Sequence, residues 1–188
     1  MLRRGFKAEA ERISQEIRSD LGLSKTSCLD VFSFAEDLGI PVVPMSEVPH
    51  AGRSASFLRV FQNGERDSFS ALTLFNGTAR LIVHNDSHHP NRQASNLAHE
   101  LSHCLLEHDP APVTNGAGSR YWNGSVEEEA DWLGAALLVP REGALRLALA
   151  RFSITEIAEH FGVSEDLCRW RMNQTGVLTQ IERSRYRR

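Results

Sequence analysis

The stretch SNLAHELSHCLLEH, Ser95 to His108, decides how this chain is read. Leu97, Leu101, Cys104 and Leu105 recur at helical spacing and form an apolar stripe. His99 and His103 lie together on a neighbouring face, because residues four apart on a helix hold their Cβ atoms about 5–6 Å from each other. Two imidazoles so placed converge on one Zn²⁺ at about 2.0–2.1 Å from each nitrogen. Glu100 sits beside such a metal, too far to be a ligand, and a carboxylate there can serve as general base. This is the logic of H-E-x-x-H, present as His99-Glu100-Leu101-Ser102-His103. The bare pattern arises by chance in roughly three of every hundred chains of this composition, so its surroundings have to support it. Cys104, next to His103, turns to the apolar side with Leu97 and Leu101 and is not expected to be a ligand.

A catalytic zinc has three protein ligands and one open position. A third histidine of the metzincin kind would fall at Asp109, with Leu106 where that pattern needs glycine, so that variant fails. The other solution is an acidic residue on a following helix. SVEEEADWLGAALLVP, from Ser125, supplies one: Ser125 and Glu128 read as a capping box, and the helix stops before Pro140. Glu127 and Asp131 are four apart and share a face. One of them can bind the metal while the other accepts an N–H from a ligand histidine and fixes its tautomer. Acidic residues at a helix start are commonplace, because they complement the helix dipole. It is their combination with His99 and His103 that points to a metal site. His84, His88 and His89 read as strand-end and loop residues, and His108 as a helix-end residue that favours the dipole.

Working outward, Phe6, Ala10, Ile13, Ile17 and Leu21 predict an amphipathic N-terminal helix. A second helix is expected from an N-cap at Thr26 or Ser27 to Gly39. IPVVPM is a short extended piece held to an edge by its prolines. ASFLRVF, SFSALTLF and ARLIVHN predict a small antiparallel sheet, with turns at NGERD and at Asn76-Gly77. Pro90 or Asn91 opens the helix of the motif. DPAPVTNGAGSRYWNG is a long loop, and SITEIAEHFGVSEDLCRWRMNQTG reads as helix, turn at Gly162, helix. The expected class is α+β, with a zincin-like domain over residues 1–150 and a helix-turn-helix-like segment over 151–188.

The composition is that of an ordinary globular protein, with 188 residues, 41% hydrophobic and a net charge of -3. That charge argues against a general nucleic-acid binder. The apolar runs are too short to span a bilayer, and the first twenty residues lack the apolar core of a secretory signal. Cys28, Cys104 and Cys168 are widely spaced and odd in number, as expected in a reducing cytoplasm, each a small buried apolar residue.

RLIVHNDSHHPNRQASNLAHELSHCLLEH, followed by EEEADWLGAALLVP and FGVSEDLCRWRMNQTG, resembles the ImmA/IrrE family of metallo-endopeptidases. LGLSKTSCLDVFSFAEDLGIPV is similar to that family's N-terminal helices, so the likeness covers most of residues 10–178. The resemblance implies Zn²⁺ held by His99, His103 and Glu127, with Glu100 as the catalytic carboxylate and Asp131 where the family often has Asn or Asp. It implies a protein substrate, a helix-turn-helix repressor cut to release transcription in stress responses or mobile elements. The long loop between the two helices departs from the family pattern. Tyr121 in that loop is a candidate donor to the oxyanion, against the plainer reading as a core or groove tyrosine. Two rival readings remain. One is a DNA-binding regulator, disfavoured because the second helix of the C-terminal pair opens on Glu165 and Asp166, poor neighbours for phosphate. The other is a metal-dependent sensor without turnover, which would use the same ligands.

Overall fold

The computed structural model describes residues 2–48, 69–109 and 124–186. The expected strand ASFLRVF with its NGERD turn, and most of the long loop including Tyr121, lie outside the described residues. The class is α+β. In chain order come α1 (Phe6–Asp20), α2 (Val31–Asp37), β1 (Val42–Pro44), a 3-10 turn (Met45–Glu47), β2 (Ala71–Asn76) and β3 (Ala79–His84). Then follow α3 (Pro90–Leu105), α4 (Gly124–Leu138), α5 (Arg141–Leu149), α6 (Ile154–Phe161), α7 (Glu165–Gln174) and α8 (Val177–Tyr186).

The sheet differs from the expectation. Its order among the described residues is β1-β3-β2, and only β2 and β3 run antiparallel, through the hairpin at Asn76-Gly77. β1 pairs parallel to β3, Val42 opposite Ile82 and Val43 opposite Val83. The sheet is therefore mixed, since β1 is not joined to β3 by a hairpin and its direction is set by α2, which delivers it. In β2 the period of two buries Ala71 and Thr73 on one face, which packs on α3.

Local chemistry moves two helix boundaries. Asp30, not Thr26 or Ser27, caps α2, accepting from the amides of Phe32 and Ser33 at 3.0 and 3.4 Å. Ser27 is occupied instead by the Ser24 amide and hydroxyl at 3.2 and 2.7 Å. The buried face of α1 is rotated from the predicted stripe: Ser14 and Arg18 are buried beside Phe6 and Ala10, while Ile13 and Ile17 are half-buried. The reason is polar. The Ser14 hydroxyl donates to the Ala136 carbonyl at 2.7 Å, and Arg18 donates to Leu137 and Ser27 carbonyls at 2.8 and 2.7 Å. These bonds satisfy carbonyls that the last turn of α4 would otherwise leave unpaired, and they pin that helix in place. Ser125 lies within the first turn of α4, which begins at Gly124.

α3 and α4 form the centre of the molecule. Leu97, Ala98, Leu101, Leu133 and Leu137 are wholly buried between them and their neighbours, each worth about 1.5–3 kcal/mol of transfer free energy for the larger side chains. Gly134 makes the close approach possible. A Cβ there would lie 3.2 Å from the Ala98 carbonyl carbon and oxygen and from the His99 amide. At the C-terminal end, Ser153 and Glu156 form a reciprocal capping box, and Gly162 ends α6 in the left-handed region at φ 63°. Ser164 caps α7 through the Leu167 amide. After α7 the chain continues as α8, which opens at the buried Val177. Ile157, Phe161, Cys168 and Met172 share one buried cluster with Leu97 and Leu133. Of the cysteines, Cys104 and Cys168 are buried as expected, but Cys28 is exposed and its thiol donates to the His160 carbonyl.

Candidate metal centre

Pro90 occupies the first turn of α3, where its missing N–H costs nothing, and His89 caps it. At the other end the Arg80 guanidinium donates to the Cys104 carbonyl at 3.1 Å, a cation on the negative end of the helix dipole. Between these two anchors the helix presents His99 and His103 on one face. Their Nε2 atoms lie 3.0 Å apart, and the rings meet edge to face.

α4 brings a carboxylate to the same point. Glu127 Oε2 is 3.3 Å from His99 Nε2 and 3.7 Å from His103 Nε2. One ligand atom from each of His99, His103 and Glu127 falls within 4.8 Å of the others, and they are the set of this kind among the described residues that could hold a metal ion. A tetrahedral ion with bonds of about 2.0–2.1 Å sets its ligand atoms about 3.3–3.4 Å apart. The three observed separations straddle that value.

Proton placement points the same way. Asp131 Oδ1 lies 2.8 Å from His99 Nδ1 and accepts its proton, which leaves a lone pair on Nε2. That lone pair faces the Glu127 carboxylate, an arrangement that repels unless a cation, either proton or metal, lies between. In the metal-free chain a proton fills the role. Burial works to lower the His99 pKa, but hydrogen bonds to Asp131 and Glu127 and the charges of Glu100 and Asp131 override it and push it up to about 10. Hydrogen bonds from His103 and His99 hold Glu127 far below the usual carboxylate range. The donor set, two imidazoles and a carboxylate, suits Zn²⁺.

Glu100 does not join the group. Its Oε2 accepts from the Thr73 hydroxyl at 2.6 Å. Thr73 comes from the buried face of β2, so the sheet orients the carboxylate that α3 supplies. The sequence gives no warning of this, because threonine is an ordinary strand former.

His108, expected only as a helix-end residue, closes the last turn of α3 through its amide, 3.1 Å from the His103 carbonyl, and its ring also reaches the motif. The chain leaves α3 through Glu107 at φ 53°, a left-handed conformation rare for a non-glycine, and folds His108 back under the motif. His108 Nδ1 lies 2.9 Å from His103 Nδ1, and His108 Nε2 lies 3.5 Å from Glu129 Oε2; the Arg3 guanidinium holds the other oxygen of that carboxylate, Oε1, at 3.0 Å. If His103 offers Nε2 to a cation, its Nδ1–H donates to His108, whose Nε2–H then points at Glu129. Each of the two histidines is thus braced from behind, His99 by Asp131 and His103 by His108 and Glu129. His84, His88 and His89 stand apart from the group. His84 and His88 are buried at the end of β3 and after it, and His88 bonds to Asn85 and Asn96 at 3.2 and 3.5 Å.

An α+β domain with two histidines one helical turn apart, and a glutamate delivered by the next helix, defines a protein of the metallopeptidase type. The chain belongs to the peptidase family described as the IrrE N-terminal-like domain, whose model matches residues 35–173. No curated protein matches it significantly. Among solved structures, a transcriptional regulator of Mycobacterium tuberculosis is similar in fold, with a TM-score of 0.55 at 16% identity. The likeness covers 86% of this chain and 45% of that one, so this chain spans less than half of the regulator's length. No helix among the described residues is long and apolar enough to cross a membrane.

Proposed function

We propose that this chain is a zinc-dependent endopeptidase that cuts a protein substrate, a helix-turn-helix repressor, to relieve repression in a stress response or a mobile element. The observation that carries the reading is the convergence of His99, His103 and Glu127 on one point, with the Glu100 carboxylate near enough for its charge to act on His99. Membership of a peptidase family supports the reaction class. Likeness in fold to a transcriptional regulator fits a role in transcriptional control.

In this reading His99 and His103 offer Nε2, and Glu127 offers Oε2, to the ion. When bound, zinc supplies Lewis acidity toward a peptide carbonyl and makes water a nucleophile near neutral pH. Thr73 occupies Oε2 of Glu100, so the other oxygen takes the proton from water and passes it to the leaving amine. Asp131 and His108 keep the two rings turned with Nε2 inward.

Glu100→Gln is the test. The variant retains its zinc and loses cleavage of a co-expressed repressor by about 10²–10⁴-fold. Cleavage at the normal rate would remove Glu100 from the chemistry. The DNA-binding rival has little support in the C-terminal pair, where Glu165 at the start of α7 is held by Thr155 and Arg169. A gel shift showing salt-sensitive binding that survives loss of His99 would restore it.

A further inference from the structure

His99 has a second surroundings besides the metal group. Its ring walls a pocket of about 250 Å³, which it shares with Asp131, Ala135 and Leu138 of α4 and with Leu167 and Trp170 of α7. The lining is mostly apolar, with Ser95, His99 and Asp131 as its polar members. Trp170 stacks edge-on against Trp132, 5.4 Å between centroids, yet remains 40% exposed, a large apolar ring left on an open rim. Volume decides what such a pocket takes. Sites for whole organic ligands run to about 300–1,000 Å³, so this one is too small for them. A cavity of about 150 Å³ lined by leucine, isoleucine and phenylalanine holds a benzene ring, so one large apolar side chain fits.

We infer that this pocket is a specificity subsite, which receives one leucine- or phenylalanine-sized side chain of the polypeptide being cut. The inference rests on the metal-dependent peptidase reading and deepens it, because His99 belongs to both sites. A chain lying across the metal group advances about 3.3–3.6 Å per residue. His99 belongs both to the pocket and to the metal group, so the pocket serves a residue within one or two positions of the cleaved bond. It also gives the C-terminal helices a part in the site. α7 supplies Leu167 and Trp170 as the outer wall, so the selection of substrate depends on a segment that holds none of the metal-binding or proton-transfer groups.

The test uses the full zinc-loaded chain and hydroxamates of N-acetylglycine, N-acetylalanine, N-acetylleucine and N-acetylphenylalanine, with binding followed by calorimetry and by tryptophan emission. The leucine and phenylalanine compounds bind about ten- to a hundredfold more tightly than the glycine compound, the gain from burying one such side chain. They also shift the emission to the blue, and Trp170→Phe abolishes the shift. Trp170→Ala, at an exposed position, erodes the preference. Ala135→Leu, which fills the pocket, removes it. Equal affinity for glycine and leucine compounds overturns the subsite alone. A folded, zinc-loaded chain that binds none of the four overturns the peptidase reading, and the subsite with it.

Discussion

Asp131 gives the sharpest test of how the histidines are held. Its Oδ1 stands 2.8 Å from His99 Nδ1, where it fixes the tautomer and makes Nε2 a better donor. Losing such a carboxylate costs about 10–100-fold in metal affinity, or about 1.4–2.7 kcal/mol. Asp131 is 65% exposed, so water screens its charge and the lower end applies. Asp131→Ala is therefore expected to weaken zinc binding about tenfold. Asp131→Asn keeps an oxygen for the N–H but loses the charge that makes the bond about twice as strong. Half of ~1.4 kcal/mol remains, and the loss is about threefold. Glu127→Ala, which removes a donor outright, falls below both. Competition with a chromophoric chelator at fixed pH and ionic strength measures all three. Zinc affinity of Asp131→Ala within twofold of the original, or an Asn variant as weak as the Ala one, would refute the reasoning.

Three further outcomes follow from the same geometry. Gly134→Ala puts a methyl 3.2 Å from the backbone of Ala98 and His99. Overpacking of about 1–3 kcal/mol outweighs the ~1 kcal/mol gained in helix propensity, so chemical denaturation shows a less stable protein with weaker zinc binding; a more stable one with unchanged affinity contradicts the close packing. His108→Phe keeps a ring but strands the His103 N–H, and the chelator assay is expected to show about a tenfold loss of affinity; no loss would make the His103–His108 contact incidental. pH separates the metal-free and loaded forms. In the metal-free chain His99 is raised from its ordinary value near 6.5 to about 10, so the stability its proton contributes is full below pH 6.5 and is lost as pH rises toward 10. Zinc requires the deprotonated ring, so its stabilisation grows over the same range. The gap in melting temperature between loaded and metal-free protein should widen from pH 6.5 to 9; a constant or shrinking gap argues against His99 as the shared group.

What the sequence made legible was local and periodic. The stripe of Leu97, Leu101 and Cys104 placed His99 and His103 on one helix face, and the four-residue step from Glu127 to Asp131 placed two carboxylates on the next. The structure brings these four side chains together. The rest depended on contacts that no spacing encodes. Thr73 reaches Glu100 across 27 residues because a strand happens to pack on α3. His108 turns back because Glu107 adopts a positive φ that its residue type does not announce. β1 is three residues long, too short for its pattern to reveal a direction. The rotation of α1 follows from Ser14 and Arg18 finding the end of α4, a tertiary demand that overrides the apolar stripe. Trp170 shares a pocket with His99 because α7 packs on α4, a contact that the helical spacing of its own segment does not encode.

The account stands on a single ion shared by two helices, and zinc itself can be counted. Protein purified without chelator, beside His99→Ala, His103→Ala and Glu127→Ala, is analysed for metal, and the bound zinc is examined by X-ray absorption. About one zinc per chain, with two imidazole nitrogens near 2.0–2.1 Å and its loss from each variant, is the expected result. A folded chain that takes up no zinc, or holds it equally well without His99, His103 or Glu127, would contradict the account at its root.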